Sequence, residues 1–347
     1  MSGQLRSPLT ELLGIEHPII QAPMAGGPST VELVAAVSEA GGLGSIAGAI
    51  LAPDALQAEI RAVRARTRRP FAVNVFAPLE PKHPEPGVVE AVQGFLAPYR
   101  KRLGIDAAAE PRPPSWSALD QLAVVVEERV PVFSFAFGIP PLDGFDDTIL
   151  LGTATTPAEA EALQQAGVDA VVVQGAEAGG HRGTFLSSFE DGLVPLAELI
   201  PAAAERCSVP LVAAGGIVDG SGIARALDAG AAGVQLGTAF LFAEESGAGD
   251  AWKEALRRHE TFVTDAYTGR PARGARTPFL QKLMAEARPA PYPLQAALLG
   301  PFRAHEGYGW YLGGTGAPRA RERPVSELVR LLVEETHAAL SRLSPSS

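Results

Sequence analysis

The sequence predicts an α/β fold, a (β/α)8 TIM barrel with a rim insertion after strand three and a mixed helical and loop extension after strand eight. Three observations predict it. Strand-sized apolar runs alternate with helical patterns, the signature of βαβ units on a parallel sheet. There are eight such runs, the number that closes a barrel. Several of them end in glycine-rich or polar turns, where this architecture assembles its active site.

The runs fall at residues 18–21, 43–46, 71–75, 131–135, 148–151, 170–174, 210–214 and 233–236. Ser29-Thr30-Val31-Glu32 is a capping box that opens a helix lasting to Gly41-Gly42. Thr156-Pro157-Ala158-Glu159 opens another, with proline at the first helical position and Gly167 beyond the end. Asp219 or Ser221 starts a third that runs to Gly230. Between 138 and 148 there is hardly room for a crossover helix, so the fourth connection should be truncated. Residues 77–117, rich in proline and charge, read as an insertion on the rim where a lid would sit, with a helix near 88–101. Residues 243–323 read as a substrate-side extension, after which an amphipathic helix at 325–343 closes the outer ring. The barrel proper is then 1–242 and 324–347.

Composition narrows the functional classes. With 46% hydrophobic and 20% charged residues, the 347-residue chain has material for one large core. Its net charge of -10 offers no basic stripe for nucleic acid or an anionic membrane. Cys207 is the only cysteine, so no intramolecular disulfide forms, which suits a reducing cytoplasm. The first residues lack the pattern of a signal peptide, and no apolar run is long enough to span a membrane. A cytoplasmic location is expected, and a homodimer is left open. Outside the strand-six turn, His17, His83, His259, His305 and His337 show no metal-ligand spacing, so no metal is expected.

The chemistry should lie at the strand ends. Strand one runs into Gln21-Ala22-Pro23-Met24-Ala25-Gly26-Gly27, whose small residues let backbone approach a flat ring, or merely make a turn. Asn74 is a polar residue in an apolar strand that could serve a heteroaromatic edge, though taken alone a structural hydrogen bond is the default reading. Strand six leads into Gln174-Gly175-Ala176-Glu177-Ala178-Gly179-Gly180-His181-Arg182-Gly183, the richest segment. A histidine among glycines has little core to pack into, so His181 is the candidate to orient an anion or move a proton. Glu177 and Arg182 are ambiguous between a role in the site and a local ion pair, the plainer account of both. Strands seven and eight end in Ala214-Gly215-Gly216 and Gln235-Leu236-Gly237-Thr238, the positions where barrels of this kind hold phosphate. No G-x-G-x-x-G follows a strand and no G-x-x-x-x-G-K-[ST] occurs. Trp116, Trp252 and Trp310 could line a pocket, but ordinary packing is the default reading for each.

Taken together, residues 18–27, Gly41-Gly-Leu-Gly-Ser-Ile46, 174–181, Ala213-Ala-Gly-Gly-Ile217 and 233–240 resemble the nitronate monooxygenases, as do Tyr267-Thr-Gly-Arg-Pro-Ala-Arg-Gly274 and Tyr292-Pro-Leu-Gln295. The resemblance spans about residues 9–335. It implies non-covalent FMN, with Asn74 and Gln174 contacting the ring and Gly179 and Gly216 lying against it. Gln235, Gly237 and Thr238 would hold the ribityl-phosphate, with Pro23, Met24, Ala25, Gly180, Gly215 and Leu236 completing the cofactor set. His181 matches the family's active-site histidine, and Tyr99, Tyr292 and Tyr308 are candidate substrate tyrosines. The implied reaction converts an anionic alkyl nitronate, such as propionate 3-nitronate, with O2 to a carbonyl compound and nitrite. Two stretches depart from the family pattern: Tyr311-Leu-Gly-Gly-Thr-Gly316 replaces an aromatic-Ala-Gly-Gln stretch, and the connection after Pro140 is short.

Two other readings remain. A flavin-dependent NAD(P)H reductase of quinones or enoyl thioesters shares the strand-six motif. A non-redox phosphate-binding lyase or isomerase could use the same turns, but Lys82, Lys101, Lys253 and Lys282 all fall outside the strands.

Overall fold

A computed structural model of the chain describes residues 5–80, 82–106 and 115–343. Its eight barrel strands are β1 Ile19–Gln21, β2 Gly44–Ala47, β3 Phe71–Phe76, β4 Val132–Ala136, β5 Ile149–Ala154, β6 Ala170–Gln174, β7 Leu211–Ala214 and β8 Gly233–Leu236. From β2 to β8 each strand pairs in parallel with the next, and β1 pairs in parallel with β8 through Ile19 and Val234. A bridge between Ile20 and Leu43 joins β1 to the entry of β2, which closes the barrel.

The alternation of side chains along each strand builds two apolar layers. Outward residues such as Ile46, Val73, Phe133, Val171, Ala213 and Val234 pack against the surrounding helices. Inward residues such as Ile20, Ala72, Val132, Leu151, Val172 and Val212 fill the barrel, joined by Leu9 and Leu13 of the helix Pro8–Leu13. A Cβ on Gly233 would meet Leu9 Cδ2 at 2.3 Å, so this helix stoppers the end opposite the site.

The same parity governs the strand ends at the mouth. One step above the apolar filling, the inward positions turn polar: Asn74, Ser134, Thr153, Gln174 and Gln235. The register sets Asn74 beside Ser134 and Ala214 between Gln174 and Gln235. A polar belt therefore sits on an apolar plug.

Local details differ from expectation in places. Thr30, not Ser29, caps the helix Val31–Glu39, because Ser29 Oγ is taken by the Met24 amide and by Gln21 Nε2. Thr156 caps Pro157–Gln165 and Asp219 caps Gly220–Asp228, as the sequence suggests. No helix separates β4 from β5, and the chain leaves β4 through Phe137 at φ 76° and Gly138 at φ 146°.

The insertion contains the helix Val88–Leu103, and the helix Ala118–Glu127 then leads into β4. Val92, Phe95 and Leu96 of the first share a separate apolar core with Tyr267, Phe279, Leu283 and Phe302 from beyond β8. That second core stands beside the barrel mouth. The region after β8 also forms two antiparallel strands, Thr261–Thr264 and Ala272–Ala275, and the second pairs antiparallel with the two-residue strand Gly180–His181. Helix Val325–Leu343 packs on Gly220–Asp228, where Glu335 accepts from the Gly220 amide at 3.0 Å. Among the described residues, no helix is long and apolar enough to cross a membrane.

Candidate active site

The polar belt is the floor of a cavity of about 1130 Å3. Typical small-molecule sites hold roughly 300–1,000 Å3, so a cofactor and a substrate fit side by side. Pro23, Met24 and Ala25 line it from β1, Asn74 from β3, and Gln174, Gly179, Gly180 and His181 from β6. Gly215 and Gly216 after β7, then Gln235, Gly237 and Thr238 at β8, complete the far side. The turns after three consecutive strands thus open into one space.

Leu236 does not line it. Strand parity turns its side chain outward into the core between strands and helices. Tyr99 and Tyr308 are also elsewhere: their rings pack 6.0 Å apart in the second core with Phe279, and the Arg102 guanidinium lies 5.0 Å from the Tyr99 ring centroid. Of the three tyrosines only Tyr292 reaches the cavity. All three tryptophans line its margin, and Trp252 donates to the Leu312 carbonyl at 2.8 Å.

The glycine turns leave space and donors. Among the described residues, the amides of Gly215, Gly216 and Gly237 find no acceptor in the chain. Gly216 has φ 68°, and a Cβ there would meet Glu177 Cβ and Thr315 Oγ1 at 3.0 Å. At Gly179 a Cβ would stand 2.4 Å from the backbone carbon of Gly313. That contact reveals a wall the sequence did not announce. Residues 313–315 bind the strand-six loop and β8 together, with Thr315 N donating to Glu177 O at 3.1 Å and Gly314 N to Thr238 Oγ1 at 2.9 Å. The departure from the family pattern at 311–316 therefore lies at the cavity itself.

His181 is held from several directions. Its strand pairs with Ala272 and Arg273 of the rim sheet. Gln174 clamps the loop from the barrel side, donating through Nε2 to His181 O at 2.9 Å and accepting from Gly183 N at 2.9 Å. The ring lies 6.3 Å from Phe76, 5.9 Å from Phe137 and 5.8 Å from Tyr292, in edge contacts. The sequence suggested a histidine with little around it, and the structure corrects this with an aromatic cage. Desolvation in that cage, reinforced by the Arg270 charge, holds the imidazole down to about 4, so it is neutral at physiological pH. Burial raises the Tyr292 phenol, opposed by Arg270.

Glu177 and Arg182 do not pair. Arg182 is fully buried and donates to the carbonyls of Gly175, Gln174 and Gly192, while Glu177 accepts from the Leu196 amide at the start of Leu196–Ala204. Burial brings Arg182 down to about 10, and it remains a cation. Among the described residues no cluster of metal-ligating side chains occurs.

Free amides at two strand ends, a neutral histidine and an apolar cage meet at the mouth of a closed barrel, where enzymes of the TIM-barrel class carry their active sites. The family model described as nitronate monooxygenase matches residues 6–335, and the chain belongs to that family, whose members are flavoproteins. It is 42% identical to a nitronate monooxygenase of Pseudomonas aeruginosa over 94% of this chain and 98% of the relative. It is 39% identical to a probable nitronate monooxygenase of Staphylococcus haemolyticus, over 96% and 98%. Among solved structures, the nitroalkane oxidase from Streptomyces ansochromogenes superposes with a TM-score of 0.88 at 42% identity, over 97% of this chain and 99% of that one. FabK from Thermotoga maritima follows at 0.76 and 31%, over 98% of each.

Proposed function

We propose that the chain binds FMN without a covalent link and oxidises alkyl nitronates, such as propionate 3-nitronate, with O2 to a carbonyl compound and nitrite. The observation that carries this reading is the meeting of His181 and the acceptor-free amides of Gly215, Gly216 and Gly237 in one cavity. Those amides are the donors a flavin phosphate needs, and the glycines at 179 and 216 keep side chains out of the cradle. Asn74, whose Nδ2 donates to Ser134 Oγ at 2.9 Å, leaves its carbonyl oxygen for a ring donor. Gln174 supports the reading differently from expectation, since its amide is committed to the His181 loop.

When bound, the flavin supplies the redox chemistry, taking electrons from the nitronate and passing them to O2. The protein's part is to bind, orient and exclude water. Phe76, Phe137 and Tyr292 strip solvent from the His181 ring, which strengthens any hydrogen bond it makes to an anion. Neutral His181 donates no charge of its own, so it orients the substrate through hydrogen bonding. We read residues 243–323 as the substrate-side extension, because they supply Tyr292 and the strand that fixes His181. The absence of a membrane-length helix among the described residues and the lone cysteine fit a cytoplasmic setting.

The test is the chromophore. Purified protein should show a flavin spectrum, release FMN on denaturation, and form nitrite from propionate 3-nitronate in air. A colourless protein that FMN does not reconstitute removes the proposal.

A further inference from the structure

Most arginines near the strand-six loop are spent on the chain itself. Arg182 gives both terminal nitrogens to carbonyls and has no exposed surface. Arg273 donates to the carbonyls of Ala176 and Thr261 and does not line the cavity. Arg270 is different. Its Nε donates to Arg182 O at 3.3 Å and Nη2 to Thr184 O at 2.7 Å, which fixes the guanidinium plane. Nη1 has no acceptor in the chain and is not buried, and Arg270 lines the cavity. Among the described residues no carboxylate forms an ion pair with it; the oxygens of Glu159, which acts on it electrostatically, are taken by Thr155, Phe185 and Leu186.

The position of this free N–H follows from its neighbours. The guanidinium carbon lies 3.8 Å from the centroid of Phe137, a wall of the His181 cage. The Arg270 carbonyl accepts from Thr268 Oγ1 at 3.2 Å, and that same oxygen is 2.8 Å from His181 Nε2. A fixed, unpaired cation therefore stands beside the neutral imidazole. The other arginine at the cavity, Arg303, is bound to Gly26 O at 2.7 Å and lies over Trp310, on the β1 side.

We propose that Arg270 is the specificity-determining residue that admits the nitronate anion and disfavours its neutral conjugate, the nitroalkane, by giving its free Nη1–H to a nitronate oxygen. The inference rests on the nitronate-oxidising reading and goes beyond it. A nitroalkane differs from its nitronate by one proton on carbon, so shape barely separates them, whereas charge does. A bound anion neutralises a cation already desolvated by aromatic rings, while a neutral ligand displaces its water and gives back only a weak hydrogen bond. His181, neutral and next to the same cation, is a poor base for taking the proton from a nitroalkane.

The test uses flavin-loaded wild type, R270M and R270K. Nitrate, a planar anion without the redox reaction, is titrated into oxidised enzyme and followed through the flavin absorbance. Nitronate and conjugate nitroalkane are compared by kcat/KM. R270M should bind nitrate about 10- to 100-fold more weakly and lose a similar factor in the nitronate-to-nitroalkane ratio, mainly through KM, with R270K in between. Nitrate affinity and a nitronate-to-nitroalkane ratio unchanged in R270M would overturn the inference. Should R270M not hold flavin, the wild type decides: nitrate should compete with nitronate and nitroethane should not, and equal competition by nitroethane overturns it. Nitrate binding that depends on Arg270 in an enzyme that nitronates do not reduce would instead sink the functional reading and leave the anion site standing.

Discussion

His181 Nε2 stands 2.8 Å from Thr268 Oγ1, and the same hydroxyl lies 3.2 Å from the Arg270 carbonyl. Thr268 thus aims the ring. T268V should keep its flavin and lower nitronate kcat/KM roughly 10-fold, the worth of one buried hydrogen bond, while T268S restores it. Wild-type turnover in T268V would show that the contact is idle.

The imidazole's neutrality has a thermodynamic signature. Unfolded, His181 titrates at its ordinary 6.5; folded, it is held to about 4. Between those values the unfolded chain binds the extra proton, so this residue's contribution is present above pH 6.5 and fades as pH falls towards 4. Urea midpoints of the wild type should drop between pH 7 and pH 5 more steeply than those of H181N. Parallel slopes would mean the ring is not desolvated in the fold.

The two adjacent glycines of the strand-six loop should respond unequally. At Gly179 an added methyl strikes backbone of Gly313 and Gly314 at 2.4–2.5 Å, whereas at Gly180 it meets open space and only the positive φ of 78° opposes it. Overpacking costs about 1–3 kcal/mol and also displaces the wall of the cavity. A left-handed backbone costs about 1–2 kcal/mol locally. G179A should therefore purify with little flavin, and G180A with most of it. Equal flavin content in the two would contradict the close approach of residues 313–315.

How much of this was legible follows from what sets each feature. All eight strands were, because a buried parallel strand is a short apolar run bounded by turns. Asn74 stood out as a polar residue in such a run and Gln174 and Gln235 came with the family resemblance, while Ser134 and Thr153 share their layer yet look ordinary in a strand. Leu236 was misplaced by reading its motif as a continuous block, although period-two alternation already turns it away from Gln235. The rim pairing of His181 with Ala272 has no periodicity in two residues and depends on tertiary contact. Tyr99 and Tyr308 were misjudged for the same reason, since their partners come from the second core across the mouth.

Glu159 tests the scaffold behind the site. Its fully buried carboxylate accepts from Thr155 N and Oγ1 at 2.7 and 2.8 Å and from the amides of Phe185 and Leu186 at 2.6 and 3.0 Å. It ties the end of β5 to the chain that follows His181. E159A leaves three buried backbone amides without an acceptor and should destabilise by about 3 kcal/mol or more in chemical denaturation. A change within about 0.5 kcal/mol would show that water replaces the carboxylate there.

The central claim is that the cavity presents a nitronate, rather than a nicotinamide, to the flavin. Anaerobic mixing in a stopped-flow spectrometer tests it most directly. The expected result is rapid bleaching of the oxidised flavin band by propionate 3-nitronate and little change with NADH. Bleaching by NADH with none by the nitronate would contradict the account and place the protein with the reductases.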